Sequence, residues 1–381
     1  MEKHNTRKST TDQHTSLPHT CPQLNVPMQP TTILGTGLLT LDIVINGGEQ
    51  QAPRLWAGGT CGNVLTIMSY LGWQSYPIAR LNGDAASRYV QSDLKKWGVK
   101  LRYAKQQPTT DTPIIVHQIK HNRAGQPSHK FSWQCPHCGA WLPTYKAITN
   151  EAAQEIVEEA TQPQVFFFDR VSRGALTIAQ ACAAHSALIV FEPSATGDPK
   201  LMREAFALAH IVKYASDRAA GFSELLPAIT PLVEIETLGN EGLRYRCRLS
   251  RHKIAKWRHI AAYPVMNLKD AAGSGDWCTA GILHLIAQRG MEGLKSLTAD
   301  KLQEALRLGQ ALAAWNCGFE GARGGMYSVT KPAFRSAISQ ILSNRLPQQN
   351  DKQPIQQKLH GSLCPACHSY PFPTARLDGH I

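Results

Sequence analysis

Two groups of residues in this chain have types and spacing suited to chemistry. The first is the stretch DAAGSGDW, residues 270–277, in which two acids bracket a run of tiny residues and the apolar segment CTAGILHLIA follows at once. A helix beginning there would leave unpaired N–H groups and a partial positive charge at its start. Gly273, Ser274 and Gly275 lack bulk, so a phosphate could approach their backbone closely and Ala272–Asp276 could cradle an anion. Asp276 falls in the first turn, where an acid is either a simple dipole-matched cap or a base held beside an anion site. The pattern GxxxxGK[ST] does not occur, so positive charge at such a site would come from amides, a metal ion and a basic residue.

The second group is a pair of CxxC units, Cys135 with Cys138 and Cys364 with Cys367. Each has the shape of a zinc knuckle, and two knuckles complete a site of four thiolates with no open position, which is structural rather than catalytic. The pairing predicts a structural zinc that pins the C-terminal tail near residues 135–139. The alternatives are two reduced surface pairs or a redox-active disulfide. The other six of the ten cysteines are singletons, mostly among apolar neighbours, and read as buried thiols.

The elements that must position these groups alternate. TTILGTGLLTLDIVI (31–45) reads as an apolar opening strand with a glycine interruption, and WAGGTCGNVLTIMSYLG (56–72) as a Gly-Gly turn feeding a helix. A strand (76–84) and an amphipathic helix (85–99) follow. Residues 112–133 read as two strands around a polar turn, a β flap interrupting the pattern. Helix and strand then alternate through QVFFFD (164–169), ALIVFEPS (187–194), HIVKYA (210–215) and PLVEIETLG (231–239), with LRYRCRLS as an edge hairpin. A buried helix over 275–288 and another over 299–318 close the set. This predicts an α/β fold with a parallel sheet. Residues 1–30 read as a disordered tail, 343–362 as a Gln- and Pro-bearing linker, and 363–381 as a tail carrying the second knuckle.

The 381 residues can bury a large core, and no apolar run is long enough to span a bilayer. The N-terminus lacks the apolar core of a secretion signal, so a cytoplasmic location is expected. A net charge of +12 suits anionic small molecules, with nucleic acid as the sharper alternative. The basic residues are scattered, which favours small anions.

DAAGSGD before a small-residue helix resembles the C-terminal signature of the PfkB/ribokinase family, DTxGAGD. AGGTCGNVLTIMSYLG with its downstream NGD resembles that family's GG-x3-N segment, and GTGLLTLDIVI its opening strand. HIVKYASD and EIETLGNEG are similar to its nucleotide-side segments, and the matches run in family order from residue 31 to about 340. The resemblance implies a doubly wound, mainly parallel sheet flanked by helices, with a small β lid at about 110–134; the zinc-knuckle extension would be an addition. It implies transfer of the γ-phosphoryl of ATP, with Mg2+, to a hydroxyl of a sugar, sugar derivative or nucleoside.

By the same resemblance Asp276 is the base, and the amides of Ala272, Gly273, Ser274, Gly275 and Asp276 form the anion hole. Asp42, Gly58, Gly59 and Asn63 bind the acceptor, with Gly83 and Asp84 bordering it. Lys213, Gly239, Gly242 and Asn316 lie on the nucleotide side, and Asp270 holds the position tied to a monovalent cation in some members. Read without the family, Asp42 is a strand-end acid, Asn63 a helix cap, and Gly239 and Gly242 a plain turn. Some relatives pair through their lids, so a homodimer is among the expectations.

Three departures stand out. Ala271 replaces the usual threonine. Ala215 and Arg218 stand where many members carry NxxE, leaving Asp217 as a stand-in acid. Trp277 is large where a small residue is usual, which predicts altered acceptor-side packing. The rival expectation is a kinase-like protein without catalysis, whose zinc module binds a protein partner or nucleic acid.

Overall fold

The computed structural model describes residues 31–46, 53–106, 109–121, 127–159, 162–194, 196–222, 225, 231–248, 256–347 and 361–368. The expected N-terminal tail and most of the expected linker lie outside the described residues.

The chain runs β1 (Thr32–Thr36), β2 (Thr40–Asn46), β3 (Arg54–Gly58), α1 (Thr60–Tyr70), β4 (Gln74–Leu81), α2 (Ala85–Lys96), β5 (Ala104–Gln106), β6 (Ile114–His121) and β7 (Pro127–Ser132). It continues through α3 (Asn150–Glu159), β8 (Val165–Phe168), α4 (Arg173–Ala184), β9 (Leu188–Phe191), α5 (Pro199–Leu208), β10 (Ile211–Ala215), the short α6 (Ser216–Ala219), β11 (Val233–Thr237), β12 (Leu243–Cys247) and β13 (Arg258–Ile260). The last elements are α7 (Ser274–Ile286), α8 (Gly290–Lys295), α9 (Ala299–Asn316), α10 (Gly324–Ser328) and α11 (Lys331–Leu342).

The main sheet has the order β13-β12-β11-β10-β9-β8-β1-β4-β5. It is parallel from β11 to β5, and β12 and β13 add antiparallel strands at one end. The expected hairpin of β11 and β12 forms at that end, with β13 added outside it. Burial explains why the central strands read as unbroken apolar runs. All four residues of VFFF in β8 are buried, because helices cover both faces. Phe166 and Phe168 belong to a core with α3, α4 and α5, whereas Val165 and Phe167 face the opposite core with α1, α7, α9 and α11.

The opening segment departs from expectation. It is not one strand but two, split at Gly37 and Leu38: β1 sits in the main sheet and β2 leaves it for a second, four-stranded sheet of order β3-β2-β6-β7. Gly37 makes the break, with φ +144° and a position where a Cβ would lie 1.7 Å from Asp169 Oδ1. The lid thus contains the expected flap strands β6 and β7 plus β2 and β3, and Asp42 lies mid-strand on it, paired with Trp56. Two apolar strands in sequence look like one when only Gly37, Leu38 and Leu39 separate them.

The chain order reverses on either side of β1, whose neighbours are β4 and β8. Open α/β sheets bind ligands at such a point, beyond the carboxyl ends of the strands. Among the described residues no helix is long and apolar enough to cross a membrane.

Candidate active site

A cleft of about 710 Å³ opens at those carboxyl ends, under the lid. Its floor comes from residues just past β8, β9, β10 and β11, its roof from β2, β6 and β7, and one wall from the start of α7. Asp42, Gly59, Asn63, Lys213, Gly239 and Ala272–Asp276 all line it.

The glycine run does what its composition allows. Gly273 caps α7 in the left-handed region at φ 75°, and a Cβ there would meet Ala322 O at 2.2 Å, so only glycine fits this turn. The Ala272 amide donates to Asp270 Oδ1 at 2.9 Å and the Ser274 amide to Ala271 O at 3.2 Å. Of the five amides expected to bind anions, two are thus engaged inside the turn, leaving those of Gly273, Gly275 and Asp276. Asp270 also accepts the Gly321 amide at 2.9 Å, so it staples the turn to the 321 loop.

Asp276 is 8% exposed, and its Oδ2 accepts from Asn63 Nδ2 at 2.7 Å. Burial pushes its carboxyl well above the usual range and the charge of Glu192 adds to this, while Asn63 and Lys213 pull the other way. A carboxylate so placed is a stronger base than one in water. Asn63 is not a helix cap: α1 is capped by Gly59, whose φ of 83° and close approach to Leu38 O exclude a side chain. Its Oδ1 accepts from Arg323 Nε at 3.0 Å.

Across the cleft Asp42 is half-buried and its Oδ1 has no hydrogen-bond partner. Burial raises its carboxyl to about 7, against the opposing pull of Arg323. Gly58 does not line the cleft but makes room for this acid, since a Cβ there would sit 1.9 Å from Asp42 Oδ2. Gly83 precedes Asp84, which caps α2 through the Ser87 amide at 2.6 Å and holds the Thr112 amide at 3.1 Å.

At the other end Lys213 is buried and pairs with Glu192 Oε1 at 2.6 Å, while Glu192 Oε2 accepts from Thr279 Oγ1 at 2.6 Å. Burial alone would lower the Lys213 amine, but Glu192 and its neighbours carry it above its ordinary value. Asp217 is exposed on the same lining. Glu192 and Thr279 did not figure among the sequence candidates. The available signal for Glu192 was an acid set directly after the all-apolar run LIVF; for Thr279 there was none.

Two nucleotide-side candidates lie off the cleft. Gly242 shapes the β11–β12 turn at φ 105°. Asn316 is fully buried, and its amide donates to Ala322 O at 3.1 Å and accepts from the Gly325 amide at 3.3 Å, tying α9 to the 321–325 loop. Trp277 also lies off the cleft. It is fully buried against Tyr70, Trp315 and Phe334, with Nε1 donating to Ala322 O at 3.1 Å. The expectation of altered acceptor-side packing fails because one residue along a helix turns the side chain by about 100°, from the cleft into the core.

The four cysteines converge. Their sulfurs lie within 4.8 Å of one another, with Cys135–Cys367 at 4.0 Å and Cys138–Cys364 at 3.7 Å. Both halves are tight turns, closed by the Gly139 amide on Cys135 O and the His368 amide on Cys364 O.

A model of the pfkB family carbohydrate kinases matches residues 42–328. Aminoimidazole riboside kinase from Salmonella enterica, solved with aminoimidazole riboside and an ATP analogue, has a similar structure: TM-score 0.59 and 18% identity over 81% of this chain and 100% of that one. A Burkholderia thailandensis nucleoside kinase in complex with inosine gives 0.60 and 16% over 83% and 98%. A fructokinase from Vibrio cholerae with fructose, ADP and calcium gives 0.59 and 15% over 77% and 94%. No curated protein matches the sequence. At these identities the structures establish the ribokinase-like α/β fold, and the family match carries the rest: the chain belongs to the pfkB family of carbohydrate kinases.

Proposed function

We propose that this protein transfers the γ-phosphoryl group of ATP to a hydroxyl of a sugar or sugar derivative, with Asp276 as the general base. The carrying observation is the placement of Asp276. A buried acid with a raised pKa stands at the head of α7, beside amides that have no acceptor in the turn, and faces a cleft whose roof holds Asp42.

The acceptor hydroxyl lies between the two acids. Asp42 accepts a hydrogen bond from a neighbouring hydroxyl, which orients the alcohol. Asp276 takes the proton as the oxygen attacks the γ-phosphorus, and the bond from phosphorus to the bridging oxygen of ADP breaks. The amides of Gly273, Gly275 and Asp276 and the field of α7 stabilise the charge spread over the transferring group. Lys213 lies on the phosphate side, beneath Gly275. Magnesium suits hard oxygen ligands. Glu192 and Asp217, carboxylates on that lining, are the residues that would hold it. When bound it neutralises phosphate charge.

A nucleoside acceptor is the second reading. Trp56, His117, Phe131 and Trp133 line the lid side of the cleft, and planar rings there suit a planar base.

The four cysteines fit a structural zinc. Tetrahedral ligation with Zn–S distances of about 2.3 Å spaces sulfurs about 3.8 Å apart, close to the 3.7 and 4.0 Å spacings. Such an ion would join residues 361–368 to the segment that follows the lid.

The test is ADP release from Mg-ATP over a panel of sugars and nucleosides, with Asp276→Asn alongside. Acceptor-dependent turnover should vanish in the variant while its melting temperature and nucleotide binding persist. Normal turnover by Asp276→Asn would refute the role of base. Silence of the parent across the panel, with ligand binding retained, would favour a kinase-like binding protein.

A further inference from the structure

Behind the cleft lies a buried arginine that the reaction as described does not use. Arg323 precedes α10 and is 2% exposed. Its Nε donates to Asn63 Oδ1 at 3.0 Å. Its Nη2 donates to Asp93 Oδ2 on α2 at 2.9 Å and to Ala57 O on β3. Tyr327 donates to the other oxygen of Asp93 at 2.7 Å. The guanidinium is thus fixed by α2, which does not line the cleft, and by the backbone of β3, and through Asn63 it reaches the cleft itself.

We propose that Arg323 is a positioning residue for Asp276, setting which end of the Asn63 amide faces that carboxylate. The inference rests on Asp276 being the base. A guanidinium has donors only. Asn63 must therefore present its oxygen to Arg323, which leaves its NH2 for Asp276 Oδ2 at 2.7 Å. A donor aimed at the carboxylate favours the ionised, proton-accepting form. Without Arg323 the amide is free to turn over and offer its oxygen instead. An oxygen there favours the protonated acid, which cannot act as a base.

The other charged groups in reach are accounted for. Around the guanidinium they are Asp93, Tyr327 and Asp42. Around Asp276 they are Glu192 from the end of β9, Lys213 from β10, Asp169 after β8 and the thiol of Cys61 on α1. Replacing Arg323 by an uncharged side chain of similar length removes its own hydrogen bonds and also its pull on Asp42.

The experiment is the pH profile of kcat/KM for Arg323→Met, Arg323→Lys, Asn63→Leu and the doubles of Asn63→Leu with each arginine variant. Arg323→Met should lower kcat at neutral pH by about 10-fold and move the acid limb up by about one pH unit, with KM for ATP within about 2-fold of the parent. Arg323→Lys, also a pure donor, should restore part of the limb. The doubles should be no worse than Asn63→Leu alone, because both changes cut one path. A merely structural role would lower the melting temperature and leave the limb in place. A folded Arg323→Met with the parent profile, or losses that multiply in the doubles, would overturn the proposal. If Arg323→Met does not fold, the double of Arg323→Lys with Asn63→Leu decides: a loss no greater than that of Asn63→Leu alone supports the proposal, and losses that multiply overturn it. Should Asp276→Asn keep its turnover, it is the base assignment that fails, independently of these variants.

Discussion

Gly273 and Gly275 are two residues apart in one glycine run, yet alanine should act oppositely at the two positions. At Gly273 φ is 75°, and a Cβ would lie 2.2 Å from Ala322 O and 2.6 Å from Ala322 Cα. The left-handed conformation costs a non-glycine residue about 1–2 kcal/mol. Backbone cannot rotate aside as a side chain does, so the clash costs about 1–3 kcal/mol more by forced displacement. Gly273→Ala should therefore lose about 2–5 kcal/mol, a drop of roughly 3–8 °C in melting temperature for a chain of this length. At Gly275 the nearest atoms are Lys213 Nζ at 3.6 Å and Glu192 Oε1 at 3.7 Å, ordinary contact distances. Alanine there gains up to about 1 kcal/mol of helix propensity, so the melting temperature should hold or rise. The added methyl nonetheless points toward Lys213 and lines the space that the phosphate would occupy, so ADP release should fall by at least about 10-fold, as on losing one oxyanion contact. Scanning fluorimetry and a coupled ADP assay on the two purified variants decide the matter. Equal melting of the pair would refute the geometry of the turn. A stable Gly275→Ala with full turnover would refute the anion cradle.

Three further outcomes are expected. The Asp42 carboxyl is raised from 3.8 to about 7, so the folded protein without ligand holds a proton that the unfolded chain has released. The resulting stability is fully present below about pH 4 and is lost as pH rises through about 7, so Asp42→Asn should flatten that part of a plot of melting temperature against pH. Glu192→Leu leaves Lys213 buried without its partner, which should cost about 3–5 kcal/mol, and urea titration measures it; Glu192→Leu with Lys213→Met should recover part of the loss. Metal analysis of the purified chain should find about one zinc per molecule, and Cys364→Ser should lose it and expose residues 361–368 to protease while the main sheet stays folded.

Much of this was legible along the chain because the signals are local. VFFF and LIVF announce central parallel strands, since a strand covered on both faces is apolar at every position. GSGD announces a tight, glycine-capped helix start, because small residues before an apolar helix let the backbone turn closely. The spacing of CPHC and CPAC announces a four-thiolate cluster, and the sulfurs meet although their halves lie more than two hundred residues apart.

The rest depended on where the chain goes between such signals. The split of residues 31–46 into two sheets hangs on the torsion of Gly37, which composition does not encode. Trp277 reads as an intruder in the acceptor pocket until the helix turns it into the core with Trp315 and Phe334. Asn63, Arg323 and Asp93 are far apart in sequence and gain their meaning only when α1, α2 and the 321–325 loop pack together. The sequence by itself pointed to the 272–276 backbone as one a phosphate could approach and to Asp276 as the acid beside it, while the structure engages the amides of Ala272 and Ser274 inside the turn. Only the tertiary structure decided which way that acid's hydrogen bond runs, because hydrogen bonds between distant side chains have no pattern along the chain.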